Sequence, residues 1–88
     1  DPGNATYLDT YAWILFEKGN YAEARIYIDD AMKSDGEKSD VIVEHCGDIY
    51  YMTGDVDGAL KYWQEALDMG SESKTLKEKI KKKKYIAE

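Results

Sequence analysis

The stretch GNYAEARIYIDDA at residues 19–31 returns 35 residues later as GDVDGALKYWQEA at residues 54–66, and reading the two together decides the fold. Gly19, Ala24, Tyr27 and Ala31 reappear as Gly54, Ala59, Tyr62 and Ala66. A period of this length, with small residues at fixed places on a helical pattern, belongs to helix pairs that cannot bury their apolar faces alone and must stack on neighbours.

Working outward, Leu8, Tyr11, Ala12 and Leu15 recur at helical spacing between Asn4, a cap residue, and Gly19, a stop, which predicts a first helix over 5–18. Asn20 with Glu23 reads as a capping box opening a second helix over 21–34, with Ala24, Ile28 and Ala31 on one face and Asp35 and Gly36 ending it. Ser39 opens a third over 40–53, stopped by Gly54, and Asp55 a fourth over 56–69, stopped by Gly70. A fifth, over about 74–86, has Leu76 and Ile80 as its apolar stripe and otherwise presents lysine, so it reads as a solvating cap. Short connections force antiparallel neighbours. The prediction is an all-α single domain spanning 1–88: two helix-turn-helix hairpins, at about 5–38 and 40–71, stacked as a short solenoid and closed by a capping segment at about 73–87. Ala24, Ala31, Ala59 and Ala66 are the close-approach positions, with Tyr7, Tyr27, Tyr62 and Trp63 supplying area around them.

Size and composition agree with this. A chain of 88 residues has room for one core, burying roughly 60 to 65% of its unfolded surface. The content, 43% hydrophobic and 34% charged, is that of a helical globular domain, and no apolar run approaches the ~18 residues that span a bilayer. Membrane insertion is not expected. Cys46 stands alone, so packing holds the fold without an internal disulfide. No basic, apolar leader opens the sequence. Charge is divided: residues 1–70 carry a net −10 and residues 71–88 a net +4.

The two halves resemble the tetratricopeptide repeat, whose pattern runs W-x2-L-G-x2-Y, then A-x3-F, then P over about 34 residues. In the second half Gly47, Tyr50, Ala59, Trp63 and Ala66 fall on the family's glycine, tyrosine, alanine, aromatic and second alanine. The first half matches through Leu8, Ala12, Leu15, Gly19, Tyr21, Ala24 and Ala31, with Ala12, Leu15 and Ile28 standing for the glycine, tyrosine and aromatic. Gly36 and Ser71 replace the closing proline, and Pro2 falls at the closing place of a preceding repeat, so the chain is expected to be a piece of a longer array. Asp9-Thr10-Tyr11-Ala12-Trp13 and Glu44-His45-Cys46-Gly47-Asp48 are similar to the last repeats of bacterial tetratricopeptide proteins, many of them exported or lipid-anchored.

The resemblance implies a non-catalytic scaffold that binds a protein or peptide in a concave groove lined by the first helix of each pair. It places there Thr6, Asp9, Trp13, Phe16 and Glu17, then Val41, Glu44, Asp48, Tyr51 and Met52. Helical spacing independently sets Asp9, Trp13 and Phe16 on one face, and Glu44, Asp48 and Tyr51 on another. An acidic, aromatic surface favours a basic or apolar partner. The family subtype that grips the carboxylate of chaperone tails uses lysines and asparagines where this chain has Asp9, Glu44, Trp13 and Asp48, so such a tail would meet like charge. The alternative is that the segment finishes an array whose ligand is bound by upstream repeats.

Other chemistry is poorly supported. Glu44, His45, Cys46 and Asp48 are metal-capable, but neighbours on a helix point about 100° apart and one His with one Cys falls short of a zinc set. The same geometry separates Cys46 from His45 as a nucleophile pair, and no glycine loop cradles phosphate. Neither a cofactor nor a catalytic residue is assigned. Asn4-Ala5-Thr6 reads as a cap rather than a glycosylation site. The lysines at 74, 77, 79 and 81–84 surround their helix without interleaved aromatics before Tyr85, which favours a solvated cap over a nucleic-acid surface. Tyr7, Tyr11 and Ile14 on the outer face of the first hairpin are a candidate for self-association.

Overall fold

Local punctuation sets the helix ends in the computed structural model, which describes residues 4–34 and 38–87. The assignments made to Pro2, Asp35 and Gly36 lie outside the described residues. Five helices follow in order: α1 (Ala5–Glu17), α2 (Tyr21–Lys33), α3 (Asp40–Met52), α4 (Val56–Asp68) and α5 (Leu76–Lys82). The bounds of α3 and α4 are those of α1 and α2 moved along by 35 residues, so the repeat seen in the residues is a repeat of backbone.

Asn4 Oδ1 accepts from the N–H groups of Thr6 and Tyr7 at 2.8 and 3.2 Å, Ser39 Oγ from Ile42 at 3.2 Å, and Asp55 Oδ1 from Gly58 at 2.8 Å. The capping box expected of Asn20 and Glu23 does not form, because Asn20 makes no side-chain bond to α2. Glu23 in the first turn still supplies α2 with the negative charge the helix dipole favours. At the other ends, Gly19 and Gly54 take φ of 81° and 93°, a region costly for any residue with a Cβ, and let the next N–H reach back five residues at 2.9 and 3.0 Å.

α5 is shorter than the 74–86 expected. Lys83 leaves it in the left-handed conformation at φ 55°, and Lys84 N–H closes on Lys79 O at 3.2 Å. This stop turns the chain back, so that Tyr85 meets Phe16 of α1 edge-on at 5.3 Å.

α1 and α2 form one antiparallel hairpin and α3 and α4 a second. α3 packs on α2 and α1, while α5 packs on α4. The seam between hairpins is apolar: Ala12, Leu15 and Phe16 of α1, Ala24, Ile28 and Ala31 of α2, and Ile42, Cys46 and Ile49 of α3 share one cluster. Val43, Ala59, Trp63, Ala66 and Leu76 make the other, tying α5 to the second hairpin. Tyr7 does not supply core area as expected, being 57% exposed on the outer face of α1. Tyr50 joins the hairpins in polar fashion, donating to Asp29 Oδ1 at 2.5 Å beneath the Arg25 guanidinium, which sits 4.0 Å from its ring.

Gly47 shows why a glycine is needed mid-helix. A Cβ there would lie 2.5 Å from Cδ1 of the buried Trp63 indole, which has no room to retreat. Gly47→Ala is therefore expected to lower stability by about 1 to 3 kcal/mol, despite alanine's better helix propensity. Urea denaturation followed by circular dichroism checks this, and an unchanged midpoint contradicts it.

Candidate functional site

Of the groove residues assigned from sequence, Trp13, Val41, Glu44 and Asp48 border one hollow, with Asp9 and Phe16 joined to them through His45 and Trp13, while Thr6 lies on the outer face of α1; together they make internal contacts more than an open trough. Asp9 and Phe16 are buried, Trp13 is half-buried, and Glu17 is exposed. Across from them Glu44 and Asp48 are buried, with Tyr51 and Met52 half-buried. Tyr51 stacks on Trp63 at 5.9 Å, and Met52 packs on the inter-hairpin cluster. Thr6 and Val41 are exposed.

His45 links the two rows. Its Nδ1 lies 2.8 Å from Asp9 Oδ1, and its ring stacks on Trp13 at 3.9 Å, with Trp13 in turn stacked on Phe16 at 4.4 Å. Sequence reasoning weighed His45 as a metal ligand and as a partner for Cys46, not as a bridge between the hairpins. Glu44 and His45 turn to different partners, and among the described residues no three His, Cys, Asp or Glu side chains are grouped as a metal site requires.

Lys79 is the main departure from expectation. The capping helix was read as lysine on every solvent face, and Lys74, Lys77 and Lys81 to Lys84 are indeed exposed. Lys79 instead is 2% exposed, its ammonium donating to Glu44 Oε2 at 2.7 Å and Asp48 Oδ1 at 2.9 Å. Ser73 Oγ also donates to Glu44 Oε2, and Trp63 Nε1 to Asp48 Oδ1, both at 2.9 Å. The Tyr85 ring centre stands 5.2 Å from the Lys79 ammonium. A signal existed: Lys79 sits three residues after Leu76 and beside Ile80, on the stripe that faces the protein. Next to it opens a cavity of about 300 Å³ lined by Trp13, Asp40, Glu44, His45, Glu72 and Tyr85 among others.

Burial pushes the Asp48 carboxyl up to about 6 from an ordinary 3.8, against the pull of Lys79 and Trp63 and with Glu44 adding to the rise. A carboxyl raised in this way favours the folded state most below its unfolded value, and that contribution is lost as pH climbs through about 6. Asp48→Asn removes this dependence while keeping an acceptor for the indole. Relative to the parent chain, the variant is expected to gain stability between pH 4 and 7, on the order of 3 kcal/mol from a two-unit shift. Thermal melts across that range test it, and a difference independent of pH contradicts it. Burial likewise pushes the Cys46 thiol well up, which leaves it un-ionised and unreactive near neutrality.

Neither the known protein-family models nor the curated proteins contain a match to this chain. Among the described residues no helix is long and apolar enough to cross a membrane.

Proposed function

We propose that this chain is a non-catalytic protein-interaction module of tetratricopeptide type, whose groove takes a basic segment carrying a lysine beside an aromatic residue. One observation supports this most: the groove already holds such a group, the Lys79 ammonium between Glu44 and Asp48 with Tyr85 over it. The cavity beside Lys79 leaves Asp40 and Glu72 facing space that a second cation from a partner fits. Aromatic walls from Trp13 and Tyr85 add contact area and cation–π attraction.

The test is a titration of the full chain with a lysine- and tyrosine-bearing peptide, followed by the NMR signals of the Trp13 indole and His45. Saturable shifts that weaken as salt rises, and that a glutamate-substituted peptide fails to produce, support the reading. Spectra unmoved by basic and apolar peptides alike count against it. The second reading, a segment that finishes a repeat array while other repeats bind the ligand, draws on the same Lys79. An ammonium so fully desolvated serves as a latch for α5, and under that reading the titration is silent.

A further inference from the structure

We infer that the outer face of α1 is a docking surface for a further helical hairpin of the same repeat kind. The internal repeat carries the argument. Moving Tyr7, Tyr11 and Ile14 along by 35 residues gives Ile42, Cys46 and Ile49, which are 4%, 0% and 0% exposed in the seam between hairpins. Their α1 counterparts are 57%, 43% and 48% exposed. Because the helix bounds obey the same shift, these are equivalent faces of equivalent helices, one covered and one open. The open one forms a shallow hollow lined by Asn4, Thr6, Tyr7, Thr10, Tyr11 and Ile14, with no charged side chain in a protein that is 34% charged. An uncharged, apolar helix face of this kind is the signature of a surface that another element covers.

The covered face also says what the occupant presents. Ile42, Cys46 and Ile49 share their cluster with Ala24, Ile28 and Ala31 of α2, a small–large–small stripe. The matching stripe on α4, Ala59, Trp63 and Ala66, packs with Leu76 of α5. Both stripes in this chain are therefore taken, and a second copy docking head to tail has none free to offer. A separate hairpin with its own stripe free fits instead. Tyr7 and Tyr11 fill more space than Ile42 and Cys46, so an occupant with a central residue no larger than Ile28 fits them. None of this depends on what the groove holds.

The experiment places residues 4–38 once more directly ahead of Asn4, so that Asn4 follows Lys38 as Ser39 does in the parent chain and the 35-residue register is kept. Two versions are compared, one retaining Ile28 in the added copy and one carrying Ile28→Ala there to make room for the tyrosines. In at least one, Tm is expected to rise by about 5 °C or more over the parent, and the amides of the second α1 to gain about tenfold protection from hydrogen exchange. Ile14→Lys in that second α1 erases the gain, yet leaves the Tm of the unextended chain within about 2 °C, as an exposed site should. The inference is overturned if neither version gains stability. It is equally overturned if the unextended chain sediments as a dimer that Ile14→Lys dissolves, because the face then belongs to a second copy.

Discussion

Lys79→Ala is expected to remove about 3 to 5 kcal/mol of folding stability, the range for breaking a buried ion pair by deleting one partner. The pair itself contributes little net energy, because desolvating an ammonium and two carboxylates offsets most of their attraction. Deleting the cation is different, since Glu44 and Asp48 stay buried at 7% and 2% exposure with no counter-charge. At 0.05 to 0.15 kcal/mol per residue, the whole fold holds only about 4 to 13 kcal/mol, so the variant loses much of its reserve. Lys77→Ala, on the exposed side of α5, is the control and is expected within about 0.5 kcal/mol of the parent. The triple variant Glu44→Gln, Asp48→Asn and Lys79→Met, which removes every charge of the cluster, is expected to recover most of the loss. Urea denaturation of the four chains decides the matter, and equal effects at positions 77 and 79 would show that Lys79 is solvated.

Trp63→Ala is expected to have a comparable effect, about 3 to 5 kcal/mol. The indole is fully buried, fills the space that Gly47 leaves, stacks on Tyr51, and donates to Asp48 beside the Lys79 ammonium. Trp63→Phe separates these roles. It keeps most of the apolar area but leaves Asp48 short of a donor, for an expected loss of about 1 to 3 kcal/mol. Denaturation midpoints in the order parent, Trp63→Phe, Trp63→Ala follow if both roles matter. A phenylalanine variant as stable as the parent contradicts the indole bond to Asp48.

Much of the fold was legible because its signals are local. Asn4, Ser39 and Asp55 cap where cap residues were read, and Gly19 and Gly54 stop helices in the backbone conformation that glycine tolerates best. The 35-residue shift carried the rest, since it fixes which faces of α1 and α3 look the same way. It also brought Asp9 and Trp13 near Glu44 and Asp48, although no single helix pattern connects them. Lys83 was not legible, because a lysine in a glycine's conformation has no marker in the residues around it. Lys79 was missed for another reason: composition assigns lysine to solvent, and only its place on the Leu76–Ile80 stripe set it apart from the lysines around it. Tyr85 then followed Lys83, because the early end of α5 is what returns it to Phe16.

The Lys79 ammonium held between Glu44 and Asp48 of α3 is the centre of this account, and the ammonium itself reports on that contact. NMR of the lysine side-chain NH3+ groups at neutral pH and low temperature is predicted to show one slowly exchanging signal, assigned to Lys79 and coupled to Glu44 and Asp48. All the lysine ammonium groups exchanging equally fast with water would contradict it.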